Sequence, residues 1–397
     1  MSRRRPALHE HDGGGEEEVG HVEYSFFRKV AGLPRRFSLA SLAAATDEFG
    51  CVVGRGSSGT VFRGVLDDGT AVAVKRLDGP SARLAEREFR AEAGAIGGAQ
   101  HAGLVRLLGF CLVPHGGPRF LVYEYMEHGS LDKWIFPSSS SWLTWRQRRQ
   151  VAVDVARALA YLHGDLRGGN KVVHLDVKPE NILLDDAFRG VLSDFGLSTL
   201  MGKDQSRVVT TVRGTTGYLA PEWLLGVGVT DKSDVYSFGM VLLEMLGGRR
   251  NIQVIDEEAD IEVVQGSRRR QRWSYFPKIV AEKVREGRVM EVVDPRVRGD
   301  AAADEAGVRR VAHVALWCAQ EKASARPDMA RVVEMLEAKG GATTEVEPPP
   351  PSEMILVDML ALDPDRPPFG LPVPPSSGVS SAMSRTDSFA LSYLSGR

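Results

Sequence analysis

Three cysteines in 397 residues, Cys51, Cys111 and Cys318, are too few and too far apart for a disulfide framework or a cysteine-based zinc site. Their apolar neighbours predict buried free thiols in a reducing compartment. Charge of one sign is lacking as well. Fifty Lys+Arg stand against 52 Asp+Glu, a net charge of -2, so no global field draws the chain to nucleic acid or to an anionic membrane. No stretch approaches the roughly 18 consecutive apolar residues that a membrane helix needs. The basic start Ser2-Arg3-Arg4-Arg5 runs straight into Glu10, His11 and Asp12, without the apolar segment of a signal peptide. Ser2 stands where myristoylation requires glycine, and the chain does not end in a prenylation box. These absences predict a soluble, cytoplasmic protein with no membrane-spanning segment and no nucleic-acid partner.

What is present is 43% hydrophobic and 26% charged, enough for a sizeable core. Residues 1–35 are rich in Gly, Glu, Arg and His without periodicity and read as a disordered lead-in. FSLASLAAATDEF, from Phe37 to Phe49, predicts a short helix packed on the domain after it. VFRGV, the Asp68-Gly69 turn and AVAVK form a hairpin signature. A helix is expected around Glu86 to Ile96, then two strands at LVRLLGFC and FLVYEYM, closing a small β-rich unit near Met126. Beyond it, Val151, Val155, Leu159 and Leu162 recur at helical spacing, and GMVLLEML and RVVEMLEA continue the helical pattern. Arg249 to Arg272, including Arg268-Arg269-Arg270, reads as a solvated excursion between helices. From about Gly340 the pattern gives way to proline and serine, a largely disordered tail over 341–397 that packs at most the string MILVDMLAL.

Gly54, Gly56 and Gly59 form GxGxxG, which alone is weak because dinucleotide-binding turns use the same glycines. Here Val61 and Phe62 begin a strand instead of a helix, so the glycines sit in a hairpin whose bare backbone can lie over phosphates. Val61 would pack on a base. Lys75 ends the returning strand and can reach phosphates if a carboxylate steadies it. Glu92 is the preferred partner, since Phe89, Ala93 and Ile96 set an inward face around it, and Glu88 is the competing choice. HLDVKPEN brings His174, Asp176, Lys178 and Asn181 within eight residues, and Asp194-Phe195-Gly196 comes after it. Asp176 can accept a proton from an attacking hydroxyl, Lys178 can neutralise a transferring phosphoryl group, and Asn181 and Asp194 can ligate Mg²⁺.

Glycine loop, AVAVK, HLDVKPEN, DFG and Ala220-Pro221-Glu222 together resemble the protein-kinase superfamily over about residues 49–340. The resemblance implies an α+β, bilobal kinase fold over 36–340. A small β-rich N-lobe with one main helix would span about 49–126, and a larger, mostly α-helical C-lobe about 127–340. Asp176 followed by Lys178 resembles the serine/threonine branch. LVRLLGFC, LVYEYMEHGSLDKWIF, GYLAPEWL and KSDVYSFGMVLLEMLGGRRN are similar to plant receptor-like kinases near the S-domain (G-type lectin) group, so the chain resembles a receptor-like cytoplasmic kinase or the intracellular part of a receptor.

By the same resemblance, ATP is expected with Mg²⁺, or Mn²⁺ in its place. The nucleotide would meet Gly54, Arg55, Gly56, Ser57, Ser58, Gly59, Val61, Ala73, Lys75 and Leu183. Glu124 and Met126 would offer backbone groups to adenine, and Tyr123 would gate the pocket. Asp234 would brace the catalytic loop, Glu222 and Arg326 would form a buried ion pair, and Thr215 would bridge Asp176 and Lys178. The implied partners are protein substrates, an upstream receptor or co-receptor kinase at the inner face of the plasma membrane, and a second copy during autophosphorylation through transient self-association. The rival reading is a pseudokinase that binds nucleotide and partners without catalysis. One residue departs from the family pattern: Leu175 replaces the usual arginine that receives an activation-loop phosphate, which leaves a phosphate on Thr210 or Thr211 without its main partner and predicts that Thr211 phosphorylation is not a strict on-switch, with Arg207 and Arg213 the remaining cations nearby.

Overall fold

The computed structural model describes residues 35–350 apart from 57–58, 79–80, 98, 115, 138–139, 165–169, 203–204, 206, 210–213, 256–271 and 338–345. Ser57, Ser58, Thr210, Thr211, Arg213, the Arg268–Arg270 run and MILVDMLAL therefore lie outside the described residues.

Strand β1 (Arg35–Arg36) pairs in parallel with Gly109 and Phe110 and places Arg35, expected in the lead-in, in the edge strand of the sheet. Helix α1 (Leu39–Ala45) starts at Ser38, whose hydroxyl accepts from the Ser41 N–H, and it buries Leu42 and Ala43. It is shorter than the Phe37–Phe49 string because Asp47, Glu48 and Phe49 all take positive φ, 50°, 52° and 60°, which unwinds the chain away from the helix. Phe37 and Phe49 still pack inward, into a cluster with Leu42, Phe62 and Phe120.

Next come β2 (Val52–Gly56), β3 (Gly59–Val65) and β4 (Ala71–Leu77), then helix α2 (Ala82–Ile96), β5 (Leu107–Leu112) and β6 (Arg119–Glu124). The sheet order is β1-β5-β6-β4-β3-β2. Gly56 pairs with Gly59 across the turn. Gly59 has φ 146°, and a Cβ there would collide with the Arg76 carbonyl oxygen, so the tight approach of β3 to β4 needs glycine. Helix α2 lays Phe89, Ala93 and Ile96 on the core, as their spacing predicts.

The second lobe opens with α3 (Asp132–Ile135) and α4 (Trp145–His163), the latter capped by a reciprocal Thr144–Gln147 pair. The hairpins and loops of the site come next: β7 (Lys171–Val173), a 3₁₀ turn over Pro179–Asn181, β8 (Ile182–Leu184), β9 (Gly190–Leu192) and β10 (Thr199–Met201). Helix α5 (Pro221–Leu224) leads to α6 (Asp231–Gly247), which is buried on all sides from Ser233 to Gly247 and ends at left-handed Gly248. Gly239 lets α6 press on α9, since a Cβ there would stand 2.7 Å from Cys318 Cβ.

Expected as a plain excursion, the 249–272 string instead begins and ends in paired strands, β11 (Ile252–Ile255) and β12 (Arg272–Tyr275). Just beyond the pair, the Phe276 N–H donates to the Asn251 carbonyl at 2.8 Å, which joins its two ends. Helices α7 (Phe276–Arg285), α8 (Arg298–Ala302), α9 (Glu305–Cys318) and α10 (Met329–Glu337) complete the lobe.

Two further expectations change in the structure. Cys111 and Cys318 are buried free thiols, but Cys51 is exposed, because it opens the edge strand β2, where Val52 and Val53 are exposed too. And part of the predicted tail runs along α9: the carbonyl of Val346 meets His313 Nδ1 at 2.6 Å, that of Glu347 accepts from Trp317 Nε1 at 2.9 Å, and Val346 packs on the core. Proline-rich chain has few internal hydrogen bonds, so its carbonyls are open to such donors.

One buried ion pair ties the start of α4 to Asp294, and the same arginine reaches the end of α6. Arg148, 1% exposed, donates to Asp294 at 2.6 Å and to the carbonyls of Leu143 and Met245, and Asp294 also accepts from Arg296. Removing one partner leaves an uncompensated interior charge. Asp294→Ala is therefore expected to cost about 3–5 kcal/mol in urea unfolding; a loss below about 1 kcal/mol, the scale of a surface pair, would refute this weight.

Candidate active site

Lys75 comes from the centre of the sheet, where β4 lies between β3 and β6, so its stem is buried and its ammonium has one direction left. Its Nζ stands 2.9 Å from Glu92 Oε2 and 2.6 Å from Asp194 Oδ1. Of the two glutamates weighed on α2, both buried, it is Glu92 that meets the lysine. Tyr123 on β6 donates its hydroxyl to the other Glu92 oxygen at 2.6 Å. Burial presses Lys75 toward neutrality, yet Asp194 and Glu92 outweigh it and hold the ammonium well above its usual range. Burial likewise pushes the Asp194 carboxyl up, but Lys75 wins and holds it well below the carboxylate range. For Glu92 burial dominates and raises the carboxyl.

A second cluster hangs from α6. Asp234, fully buried, accepts the backbone N–H of His174 at 2.7 Å and of Leu175 at 2.8 Å, and meets His163 Nε2 at 2.8 Å. Held this way, Leu175 takes φ 69° and the chain turns Asp176 outward. Asp176 then accepts from Lys178 Nζ at 2.8 Å, from Asn181 Nδ2 at 2.8 Å and from the Thr215 hydroxyl at 3.2 Å, while Lys178 also donates to Thr215 Oγ1 at 2.8 Å. His174 accepts the Asp176 N–H on Nδ1, so its Nε2 carries the proton toward the Ser193 carbonyl at 3.0 Å. Behind it Phe195 is fully buried. Asp194 itself takes φ 61°.

The remaining expected residues divide between the lobes. Gly54, Arg55, Gly56, Gly59 and Val61 lie on β2 and β3, with Val61 opposite Lys75 in the register. Ala73, Met126 and Leu183 are half-buried and pack on one core cluster. Glu124 ends β6 and accepts the Arg106 N–H on its side chain, and Met126 stands two residues on. Glu222 and Arg326 form a two-pronged pair at 2.8 Å and 2.8 Å, with the Arg326 side chain fully buried and donating also to the carbonyls of Lys232, Gln320 and Glu321.

Among the described residues no three His, Cys, Asp or Glu side chains converge into a preformed metal cage. That suits a hard cation held by one or two protein oxygens together with phosphates. Asp194, kept ionised by Lys75, and Asn181 fit it. The Asn181 amide nitrogen is committed to Asp176, which leaves the amide oxygen as the atom to offer.

A glycine-edged strand pair, a buried lysine between two carboxylates, and an aspartate tied to lysine, asparagine and threonine agree with a family comparison in which the protein kinase domain matches residues 48–335. The chain belongs to the protein kinase family. This kinase is 52% identical over 352 residues to a probable receptor-like protein kinase of Arabidopsis thaliana, covering 87% of this chain and 74% of that one. It is also 43% identical over 334 residues to the G-type lectin S-receptor-like serine/threonine-protein kinase SD2-5 of the same plant, and 41% identical over 332 residues to the similarly named LECRK4 of Oryza sativa subsp. indica. It covers 38% of the length of each of those two relatives, against 84% and 82% of its own. As a protein kinase it uses ATP and a divalent metal ion. No helix among the described residues is long and apolar enough to cross a membrane.

Sequence reasoning passed over a third cluster of this kinase, in which Tyr218, Glu244, Arg250 and Glu180 interlock. The signal available was Glu244, a lone carboxylate inside the apolar string GMVLLEML, which must find a partner if buried. In the Lys75 cluster the Tyr123 hydroxyl on Glu92 is the simplest contact to remove. Tyr123→Phe is expected to lower stability by about 1.5–3 kcal/mol, the range for a hydrogen bond to a charged group; an unchanged urea midpoint would show that Glu92 does not need it.

Proposed function

We propose that this protein transfers the γ-phosphate of Mg-ATP, with Mn²⁺ as a substitute, to serine and threonine hydroxyls of proteins, including its own. The observation that carries this reading is the Asp176–Lys178–Thr215 triangle, all three edges of it hydrogen-bonded, beside the cation-competent Asn181. Asp176 orients the acceptor hydroxyl and takes its proton. Lys178, kept above its usual range by Asp176 against burial, faces the transferring group with a full positive charge. Lys75, steadied by Glu92, grips the nucleotide phosphates, and the glycine strands β2 and β3 cover them with backbone. Bound with ATP, the divalent cation screens charge on the transferring phosphoryl group. The pairing of Lys75 with Glu92 and Asp194, and of Asp176 with Lys178, Asn181 and Thr215, speaks against the pseudokinase alternative, since positioning is most of what phosphoryl transfer asks of a protein.

The catalytic unit in this reading runs over 36–340, with the nucleotide between its lobes and Tyr123 at the back of the pocket. The names of the relatives support a place in receptor-like signalling at the inner face of the plasma membrane, downstream of a receptor or co-receptor kinase. Radiolabel transfer from Mg-ATP by the full chain, followed by phosphoamino-acid analysis, tests the activity. Phosphoserine and phosphothreonine are expected, reduced about 100-fold or more in Asp176→Asn and abolished in Asp194→Asn. A folded wild type that binds ATP yet transfers nothing would favour the pseudokinase.

The substitution at Leu175 supports a finer reading. Leu175 is buried with Val173, Met201, Trp223 and Val229, and Val208 packs against them while pairing with Val229 through hydrogen bonds of 3.0 Å and 2.9 Å. Apolar packing therefore fastens the segment after DFG, where a phosphate on an arginine would otherwise do so. Thr211→Ala is expected to keep activity within about threefold of wild type; a folded Thr211→Ala without activity would reverse this reading.

A further inference from the structure

Arg250 comes just after the end of α6 in sequence, yet its guanidinium lies across the substrate face. Nη2 donates to Glu180 Oε1 at 2.6 Å, Nη1 donates to the Tyr218 hydroxyl at 2.9 Å and stands 3.8 Å from Glu244 Oε2, and the group rests on the Phe136 ring with 4.1 Å to its centroid. Glu180 lies four residues after Asp176 and next to Asn181, and Tyr218 three after Thr215, so the cluster flanks the point where a hydroxyl must approach Asp176. The neighbouring segment closes on the same face, with Ile252 Cδ1 3.6 Å from where a Cβ on Gly217 would stand.

Two carboxylates converge here on one arginine that keeps a third of its side chain exposed, at 33%, while Glu244 is 2% exposed. The other oxygen of Glu180 is buried with no hydrogen-bond partner. A carboxylate pocket beside the acceptor site is a seat for a basic side chain, and a guanidinium stacked on an aromatic ring and forked onto carboxylate and hydroxyl is how such a side chain is held. In this chain that seat is filled from within.

We infer that Arg250 is a specificity-determining residue: it occupies, in cis, a two-carboxylate subsite formed by Glu180 and Glu244, so that the kinase accepts neutral peptides and gains nothing from a basic residue at the corresponding substrate position. The inference rests on the kinase reading and deepens it. Glu180, half-buried and 2.6 Å from Arg250 Nη2, is the main attractor. Burial pushes Glu244 up to about 7, against the pull of Tyr218 and Arg250, so its share of the negative charge grows as the medium turns alkaline.

The test uses the full chain and a set of serine peptides, each neutral except for a single arginine moved from three residues before the serine to three after it. Wild type is expected to phosphorylate them all with similar kcat/KM. Arg250→Gln and Arg250→Ala are expected to prefer one arginine position by about tenfold over the neutral peptide, chiefly through KM, as restored pairing with a carboxylate allows. Arg250→Lys, which keeps a cation in the seat, should stay close to wild type, and Glu180→Gln added to Arg250→Gln should erase the preference. Equal losses on every peptide, with no position favoured in either variant, would make Arg250 a brace for the Tyr218 loop and overturn the inference. So would a wild type that already selects arginine at the position the variants favour. Transfer to no peptide and to no residue of the chain itself, by wild type or variants, would instead fell the kinase reading on which the inference stands, a result distinct from transfer without selectivity.

Discussion

The site depends on one buried carboxylate. Asp234 sits in the first turn of a helix that is buried on every side, where unpaired N–H groups and the helix dipole favour a negative charge. Its two oxygens accept two consecutive backbone N–H groups of the loop and contact His163 as well. A carboxylate that far from water is stable only when its hydrogen bonds are complete. Completing them forces the loop into an otherwise costly turn, with Leu175 at φ 69°, a conformation few branched side chains adopt. That turn is what separates the fates of two neighbours: Leu175 points into an apolar cluster and Asp176 toward Thr215.

From this root the rest of the substrate side is fastened by three different kinds of contact. Apolar packing joins Leu175 and Val173 to Met201, Trp223 and Val229. A hydrogen-bonded triangle joins Asp176 to Thr215. The Glu222–Arg326 pair, buried and forked, fixes the far end of the segment to the helical lobe. The first of these involves no charge, so ionic screening leaves it largely untouched, whereas an ionic clasp would weaken with salt. In the reading proposed above, leucine in place of arginine at 175 would exchange a switchable contact for a constant one.

Much of this was legible in the sequence because it is local. Hairpin turns, helix caps and the short strings around Asp176 and Asp194 carry their geometry in the spacing of residues, and Glu92 could be favoured over Glu88 from the inward face of its helix. What stayed hidden is long-range. Arg148 and Asp294 are 146 residues apart, and Arg250 and Glu180 are 70 apart, so no window of sequence holds both partners. The strands at Ile252 and Arg272 looked like charged excursion because their pairing partner is each other across a long insertion. Cys51 read as buried from its apolar neighbours, but neighbours on an edge strand share its exposure. The run along α9 at Val346 was obscured by composition, since proline-rich chain signals solvation unless donors such as His313 and Trp317 happen to wait beneath it.

Charge at the reaction centre does not balance. In the ion pairs described above, Glu92, Asp194 and Asp176 set three carboxylates against two ammonium groups, Lys75 and Lys178, in a largely buried place. Such an excess can be relieved by a proton or by a cation. The direction of the shifts says where: Glu92, furthest inside, is raised toward a proton, while Asp194 is held ionised and in contact with Lys75. Asp194, kept in its charged form, and the amide oxygen of Asn181, whose nitrogen is committed to Asp176, are the two oxygens the proposed divalent ion would take. In the kinase reading proposed above, a divalent cation shared by Asp194 and Asn181 would add positive charge to this carboxylate-rich place.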